Sequence, residues 1–347
     1  MRIDALLDSN TNARPAILVV GGAGYIGSHM VLMLKEAGYF VLVFDNLSSG
    51  HRSAAVLGDE FIQGELGSKQ ALQQVFKKYS KTHAHPIKAV MHFGGSIQVG
   101  ESVVDPAKYY QNNVANTLVL LDVMREFDVK AFIFSSTAAI FGAPCVIPMD
   151  EMHPKTPVNP YGRSKWMLEQ ILEDYDRAYQ LKSICLRYFN ACGADPLGRT
   201  GECHEPETHL IPLILQVASG QRAAIQIFGQ DYPTPDGTCL RDYVHVVDLA
   251  QAHLKALEQL LAGSESAQYN LGNGQGFSVQ EVVSEVEAVT GKSIAVVFAP
   301  RRQGDPACLV AKSDRAKQVL GWAPEYSELR EIISHAWAWE LKLAKKH

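Results

Sequence analysis

The sequence predicts an α/β fold: a doubly wound, Rossmann-like parallel sheet with a second, smaller α/β domain. Three observations support this prediction. Short apolar runs alternate with helical stretches through the first half of the chain, a glycine-rich turn follows the first run, and loops rich in Gly and Pro become common beyond about residue 190. Because each apolar run is short, it fits a strand that helices cover on both faces.

The order of the elements follows from these runs. The expected strands are residues 16–20, 40–44, 89–92, 131–135 and 183–187, and the expected helices are residues 28–37, 69–78, 115–126 and 161–179. Residues 248–261 carry apolar side chains at helical spacing, which favours a packed helix. We expect an N-terminal extension over residues 1–15, a first domain over 16–190, and a second over 191–347 from which some segments return to the first.

Composition excludes several classes of protein. A formal net charge of −5 argues against a nucleic-acid surface, and no run of about 18 apolar residues offers a membrane span. Residues 1–15 lack the pattern of a secretory signal. The six cysteines are scattered, without C-x-x-C spacing and without a nearby pair of histidines for zinc. We therefore expect reduced thiols, no metal site and a cytoplasmic location.

The glycine-rich turn, Gly21-Gly22-Ala23-Gly24-Tyr25-Ile26-Gly27, lies between the first expected strand and the first expected helix. Glycines at this spacing permit a tight turn and let a pyrophosphate approach backbone amides at the start of a helix. A glycine motif alone is weak evidence, because a purely structural turn has the same composition. The strand before it and the helix after it are the context that dinucleotide binding requires.

Asp45 and Asn46 end the second expected strand, about 20 residues beyond the glycines. An acidic side chain there can accept hydrogen bonds from the adenosine ribose and repel a 2′-phosphate, which favours NAD over NADP. The alternative is that Asp45 only caps the loop that follows. Glu65-Leu66 and Phe93-Gly94-Gly95 follow later strands, where contacts to adenine and to the nicotinamide ribose are expected.

A tyrosine and a lysine in the second half of the sheet domain carry the expected chemistry. Asn159 suits the N-cap and Pro160 the first position of a helix, so Tyr161 and Lys165 lie one turn apart on one face. A lysine ammonium and a positive nicotinamide ring would lower the pKa of the phenol and make it a base. Thr137, after the strand that ends at Ser135, can share the same substrate hydroxyl. The alternative is a surface Tyr and Lys on an ordinary amphipathic helix.

With these residues in place, the sequence resembles the extended short-chain dehydrogenase/reductases and, among them, the UDP-galactose (UDP-glucose) 4-epimerases. The resemblance runs from about Ile17 to Trp339. Its motifs, besides the Tyr-x-x-x-Lys pair, are Val99-Gly100-Glu101-Ser102, Tyr109 to Asn113, Arg187-Tyr188-Phe189-Asn190, Asp231 to Thr234, Asp236-Gly237-Thr238, Arg241-Asp242-Tyr243, Tyr269 to Gly272 and Pro300 to Asp305.

The resemblance implies a role for particular positions. Those expected at NAD are Gly22, Gly24, Tyr25, Ile26, Gly27, Asp45, Asn46, Glu65, Leu66, Phe93, Gly94, Gly95, Asn112, Ser135, Tyr161, Lys165 and Tyr188. Those expected at the substrate are Thr137, Tyr161, Asn190, His209, Leu210, Gln226, Phe228, Arg241, Arg302, Asp305 and Leu309, with Leu309 facing the C2 substituent of the sugar. The catalytic residues would be Tyr161, Lys165 and Thr137.

The resemblance also implies an activity and an assembly. UDP-glucose and UDP-galactose would be interconverted by hydride removal from C4, rotation of the 4-keto sugar and hydride return, in a homodimer. A UDP-N-acetylhexosamine or UDP-pentose 4-epimerase is the nearest alternative. A nucleotide-sugar dehydratase, a dehydrogenase that exchanges NAD with solvent and a noncatalytic NAD sensor are more distant alternatives.

Three positions depart from the family pattern. Thr137 replaces a serine and keeps the hydroxyl, whereas Glu65 replaces an aspartate and changes the expected adenine contact. Ile97 stands where many relatives carry a lysine near the cofactor, which removes a positive charge. Retention of NAD is therefore the property that these departures affect most.

Overall fold

A computed structural model describes residues 14–302 and 305–345. The first elements are β1 (Ala16–Val20), α1 (Tyr25–Glu36), β2 (Phe40–Asp45), α2 (Arg52–Ala55), β3 (Glu60–Gln63), α3 (Lys69–Lys78), β4 (Ile87–His92), α4 (Val99–Val104), α5 (Pro106–Tyr109), α6 (Asn116–Glu126), β5 (Ala131–Ser135), α7 (Pro160–Tyr179) and β6 (Lys182–Tyr188). They continue with β7 (Asn190–Cys192), α8 (Leu210–Ala218), β8 (Ile225–Phe228), β9 (Leu240–Arg241), β10 (Tyr243–His245), α9 (Val246–Leu261), β11 (Ala267–Leu271), β12 (Phe277–Ser278), α10 (Val279–Thr290), β13 (Val296–Ala299), β14 (Cys308–Leu309) and α11 (Leu329–Ala344).

The main sheet has seven strands in the order β11-β6-β5-β4-β1-β2-β3. The pairings of β1 with β2 and β4, of β2 with β3, of β4 with β5 and of β5 with β6 are all parallel. The strand order reverses beside β1, so the carboxyl ends of β1 and β4 border the crevice where doubly wound sheets bind ligands. The predicted fold class is confirmed.

The chain divides into two compact units that are not consecutive blocks. The first contains residues 14–140, Pro157–Arg187 and Ala250–Tyr269; the second contains Phe141–Thr156, Tyr188–Leu249 and the described residues from 270 onward. The predicted division after residue 190 differs from this grouping in two respects, because residues 141–156 and residues 188–190 belong to the second unit. Residues 250–269, from α9 to most of β11, return to the first.

The second unit combines helices with short strands. Parallel pairs form between β7 and β10 and between β8 and β13, and β9 lies between β12 and β14. Its core is formed by buried side chains from α8, α10 and α11, among them Ile214, Val282 and Ile332. Short strands therefore contribute more to this unit than the Gly- and Pro-rich sequence indicates.

The bounds of several elements differ from the predictions. Helix α1 begins at Tyr25 rather than at Ser28, because Gly24 has an extended backbone and serves as the N-cap. Strand β3 is only four residues long and partly exposed, and β11 alternates apolar residues with Gln268 and Asn270, so neither forms a continuous apolar run. Helix α9 was predicted almost to its ends.

Two expectations concern the ends of the chain and the membrane. The predicted N-terminal extension lies almost wholly outside the described residues. Within the described residues, no helix has both the length and the apolar character needed to cross a membrane.

The start of helix α7 is fixed by its N-cap. The side chain of Asn159 accepts a hydrogen bond from the backbone N–H of Gly162 at 2.8 Å, and Pro160 occupies the first turn. Both features agree with the prediction. This cap sets the position at which the helix that carries Tyr161 and Lys165 begins.

Replacing Asn159 with Ala is expected to lower the free energy of unfolding by about 1 kcal/mol, because the N–H of Gly162 loses its partner. Denaturant unfolding monitored by circular dichroism measures the change. Asn159→Asp is the matched control, since its carboxylate can still accept the bond, and it should keep most of the stability. Equal losses in both variants would contradict the assigned cap.

Candidate active site

The glycine turn lies at the carboxyl end of β1. At Gly21 and Gly27 it is packed too tightly for any side chain. A Cβ on Gly27 would lie 2.1 Å from the carbonyl oxygen of Gly21, and a Cβ on Gly21 would lie 2.5 Å from the amide nitrogen of Gly94. The N-cap of α1, Gly24, provides no side-chain cap. The first amides of α1 are therefore left to a ligand, as a dinucleotide pyrophosphate requires.

Asp45 connects the end of β2 to this turn. Its carboxylate accepts hydrogen bonds from the backbone N–H groups of Ala23 at 3.0 Å and Leu47 at 2.8 Å. The loop-capping alternative is thus observed, because each oxygen already holds the local backbone. An oxygen of a carboxylate has further lone pairs, so a ribose hydroxyl remains a possible donor.

The other residues predicted at the cofactor divide into two groups. The first group, Asn46 and Glu65, follows β2 and β3 and has side chains that a cofactor can reach. Asn46 donates a hydrogen bond to Glu65 at 3.0 Å. Leu66 differs, because its side chain is buried in the apolar core, which leaves only its backbone for a ligand. Phe93 and Gly94 follow β4, and the backbone N–H of Phe93 donates to Val20 at 2.7 Å.

Lys165 is buried at the carboxyl end of β5. Its Nζ donates to the backbone oxygen of Ser135 at 2.8 Å and lies 4.8 Å from the centre of the Phe134 ring. A Cβ on Gly95 would come within 3.0 Å of Nζ, so the glycine after β4 leaves room for this side chain. Burial lowers the pKa of Lys165 to about 8, and the negative charge of Glu169 opposes that change.

Tyr161 lies one turn before Lys165 and shares a hydrogen bond with the hydroxyl of Thr137. Burial raises the pKa of Tyr161 above its ordinary value, and the bond to Thr137 works against that rise. Lys165 directs its ammonium at Ser135, so the chain's own groups do not offset the loss of solvent around the phenol. The lowering that we predicted rests on the nicotinamide ring as well as on Lys165, so it stays a prediction.

A buried ion pair supports Lys165 from the next turn of α7. Glu169 accepts two hydrogen bonds from Nε of Arg187 on β6, at 3.0 and 3.1 Å, and another from Nη2 at 2.5 Å. The hydroxyl of Ser136 donates to the same carboxylate at 2.5 Å. Sequence reasoning missed this group, although the spacing of Tyr161, Lys165 and Glu169 at four-residue intervals would have indicated it.

Asn112 and Asn113 lie in a π-helical turn, Tyr110–Ala115, between α5 and α6. The side chain of Asn113 accepts from the backbone N–H of Ser96 at 2.8 Å and donates to its carbonyl at 3.1 Å and to the hydroxyl of Ser164 at 3.0 Å. Asn112 donates to the Ser96 hydroxyl at 3.2 Å. Asn113, which we did not single out, thus fixes the loop after β4 against α7. Turns of this type are common at functional sites.

The residues predicted at the substrate are all in the second unit, apart from Thr137 and Tyr161. Arg241 donates to the carboxylate of Asp305 and, at 3.0 Å, to the carbonyl of Pro306. Arg302 lies 3.9 Å from the centre of the Phe228 ring. The two arginines are therefore each held in place by a neighbour.

Five further predicted residues lie in or at the ends of described helices and strands. Asn190 begins β7 and its N–H donates to the Asp242 carbonyl at 3.2 Å, and Gln226 is exposed on β8. His209 is the N-cap of α8 and makes no side-chain cap bond, so its side chain does not occupy the first amides of α8, which begin at Leu210. Although burial opposes it, the carboxylates of Glu202 and Glu207 raise the pKa of His209 to about 10. Tyr188 is buried at the end of β6.

A two-strand pairing gives Leu309 its orientation. Strand β14 pairs with β9 in parallel, with Leu309 opposite Arg241 and Cys308 opposite Leu240. Paired residues of neighbouring strands lie on the same face of a sheet. Leu309 and Arg241 are therefore on one face and Cys308 on the other.

Together, the parallel sheet, the glycine turn and the Tyr-Lys pair define a nicotinamide-dinucleotide enzyme of the short-chain dehydrogenase/reductase type. Residues 17–272 match the model of the NAD dependent epimerase/dehydratase family, and the chain belongs to that family. The turn around Gly27 and the cap-free start of α1 fit the cofactor.

Curated relatives and solved structures narrow the comparison. The chain is 52% identical over 325 residues to the UDP-glucose 4-epimerase of Halalkalibacterium halodurans, which covers 93% of this chain and 95% of that protein. It is 48% identical to the enzyme of that name from Rhizobium leguminosarum bv. trifolii, over 95% of this chain and 98% of the relative. The UDP-glucose 4-epimerase of Brucella ovis in complex with NAD is 46% identical with a TM-score of 0.90, covering 93% of this chain and 98% of that one. The Bifidobacterium longum enzyme in complex with NAD+ and UDP is 36% identical with a TM-score of 0.88, covering 96% and 100%.

The charge of Lys165 is expected to set the alkaline limit of activity. With its pKa at about 8, the ammonium is present below that pH and is lost above it. Glu169→Gln removes a negative charge that favours the ammonium, so the alkaline limb of the kcat/KM profile should move to lower pH. The profile is measured by steady-state kinetics across the pH range.

Glu173→Gln is the matched control, because Glu173 is exposed one turn further along α7. The control should keep the wild-type profile. If the Glu169→Gln variant kept the wild-type alkaline limb and lost only thermal stability, Glu169 would stabilise helix α7 without affecting the pKa of Lys165.

Proposed function

We propose that the protein is an NAD-dependent UDP-glucose 4-epimerase that interconverts UDP-glucose and UDP-galactose. The observation that carries this proposal is the group formed by Tyr161, Thr137 and Lys165 in the same unit as the glycine turn. The names of relatives at about half identity over nearly the whole chain support it. The bound molecules in two of the structural relatives, NAD and UDP, are those that the reaction needs.

The chain's own residues would move the proton. Tyr161 removes it from the C4 hydroxyl of the sugar, and Thr137 hydrogen-bonds both that hydroxyl and the phenol. Lys165 would supply part of the positive charge that a phenolate requires, together with the nicotinamide ring, and Glu169 favours the charged form of Lys165. NAD, held by the glycine turn and Asp45, would supply the acceptor and donor of the C4 hydride. Return of the hydride to either face of the keto sugar would invert the hydroxyl without net oxidation.

The residues of the second unit would hold the UDP group. Arg241 and Arg302 have forked guanidinium groups suited to the diphosphate. The amides at the start of α8 offer further donors to an anion. Holding UDP while leaving the sugar free to turn is the property that an epimerase needs.

Three other activities are less well supported. A dehydratase needs an acid and a base beside the catalytic threonine, whereas this chain has Ala138 and Ala139 there. A dehydrogenase of simple alcohols would not require Arg241 and Arg302, and a noncatalytic sensor would not require Tyr161. A cytoplasmic homodimer completes the proposal, and the absence of disulfides among the six cysteines, all of which lie in the described residues, fits a reducing compartment.

Proton NMR of UDP-galactose with purified protein and no added cofactor tests the proposed function. Growth of the anomeric signal of UDP-glucose, toward the same final ratio from either sugar, is expected. A sample that converts neither sugar, or that does so only with added NAD consumed in proportion, would contradict it.

The protein is expected to purify with a nicotinamide dinucleotide, which acid release and chromatography will measure. Gly27→Ala should abolish this retention, because its Cβ would lie 2.1 Å from the Gly21 oxygen. Gly24→Ala is the milder control, since the nearest atom to its Cβ is 3.3 Å away. Free exchange of the nucleotide from the wild type would count against retention and would direct attention to Ile97.

Replacing Tyr161 with Phe is expected to lower kcat by at least about 100-fold with little change in the affinity for UDP, because general-base catalysis contributes at least that much. Thr137→Val should cost less, since it removes only a shared hydrogen bond. Turnover assays and calorimetric UDP titration separate the two effects. Nearly full turnover by the Phe variant would mean that another group is the base.

The breadth of sugars accepted is proposed to depend on Leu309. Extra atoms in a packed site cost about 1 to 3 kcal/mol, which corresponds to a kcat/KM roughly 5- to 150-fold lower for UDP-N-acetylglucosamine than for UDP-glucose. Leu309→Ser should narrow this difference. Cys308→Ser, on the opposite face of β14, should not. Equal kcat/KM values for both sugars in the wild type would remove Leu309 as the determinant.

A further inference from the structure

Four side chains in the loop before α8 converge on one point. Glu202, His204, Glu207 and His209 form an E-x-H-x-x-E-x-H sequence, and one ligand atom from each lies within 4.8 Å of all the others. All four belong to the second unit. Sequence reasoning searched for zinc sites through the cysteines and therefore overlooked the pair His204 and His209.

The four distances between histidine nitrogens and carboxylate oxygens are in the range of a tetrahedral metal site. Nδ1 of His209 lies 2.6 Å from Oε1 of Glu202 and 3.2 Å from Oε1 of Glu207. Nδ1 of His204 lies 3.2 Å from Oε1 of Glu202 and 3.7 Å from Oε2 of Glu207. Four ligands held 2.0 to 2.1 Å from a zinc ion are about 3.3 Å apart, which is close to the middle of this range.

The burial of both carboxylates requires a nearby positive charge. The side chains of Glu202 and Glu207 are each 6% exposed. Oε1 of Glu202 is buried between the two imidazoles, 3.2 Å from Nδ1 of His204 and 2.6 Å from Nδ1 of His209. Two buried carboxylates are costly unless cations compensate them, and one divalent ion supplies the whole charge.

Contacts outside the cluster hold two of the four residues in position. The indole N–H of Trp339 donates to the backbone oxygen of Glu202 at 2.9 Å. Oε1 of Glu207 accepts from the backbone N–H groups of Thr208 at 2.7 Å and His209 at 2.9 Å. Such outer contacts orient ligands in metal sites.

We propose that Glu202, His204, Glu207 and His209 bind a structural zinc ion. Two imidazole nitrogens and two carboxylate oxygens suit zinc better than magnesium or calcium, which prefer oxygen ligands alone. Four protein ligands leave no open position, so the ion would be structural. It would fix the loop that leads into α8 and displace the protons that the imidazoles otherwise share with the carboxylates. The proposal does not depend on the proposed function. It replaces our expectation of no metal site and the expectation that the side chain of His209 contacts the substrate.

Metal content is measured on protein made without a histidine tag, stripped with a chelator, loaded with zinc and dialysed. One zinc ion per chain is expected, together with a higher melting temperature than that of the stripped protein. The double variant Glu202→Gln/His204→Ala should retain no zinc and should show no zinc-dependent rise in melting temperature. Circular dichroism checks that this variant is folded.

His83→Ala/His85→Ala is the matched control, because these rings also lie near each other, 5.9 Å apart, but belong to the first unit. It should bind zinc like the wild type. Cobalt added to stripped wild type should give the visible absorption of a tetrahedral site. Wild-type protein that holds no zinc, zinc that persists in the Glu202/His204 variant, or cobalt absorption typical of six-coordinate ions would each overturn the proposal.

Discussion

The buried ion pair between Glu169 and Arg187 is the interaction on which the arrangement of the catalytic residues depends. It joins α7 to β6 with three hydrogen bonds, and Ser136 adds a fourth from the end of β5. Leaving one member of such a pair without the other typically costs about 3 to 5 kcal/mol. Helix α7 is therefore held in one rotation about its axis, and that rotation directs Tyr161 and Lys165 to the carboxyl edge of the sheet.

The same ion pair shapes the electrostatics of the site. Burial works against a charged Lys165, and Glu169, one turn away, works in favour of it. Burial also keeps the proton on Tyr161, because it raises the pKa of the phenol. Tyr161 would therefore lose its proton only when the positive charges of Lys165 and the nicotinamide ring lie beside it. This is consistent with an enzyme that must oxidise and reduce the same carbon.

The sequence predicted features that depend on local chemistry. The strand, glycine turn and helix around Gly21 to Gly27, the Asn159 cap and the Tyr161–Lys165 spacing are all set by neighbouring residues, and helix α9 has a regular apolar stripe. Pairings between distant residues were not predictable in this way. Arg187 meets Glu169 only because β6 lies beside β5, and Asn113 reaches Ser96 only because a π-helical turn redirects it. Strand β11, although mostly buried, alternates apolar residues with Gln268 and Asn270 and so lacks the continuous apolar run by which the other strands were predicted.

Removal of the hydrogen from C4 and its return to the same carbon distinguish a 4-epimerase from other proteins with the same fold. The most direct test is to incubate UDP-galactose carrying deuterium at C4 with the purified protein in ordinary water, and to locate the label in the UDP-glucose formed. The account predicts that deuterium remains at C4 of the product, because the same hydrogen leaves and returns while the sugar stays bound. UDP-glucose with ordinary hydrogen at C4 would contradict it, since the hydrogen would then have come from solvent.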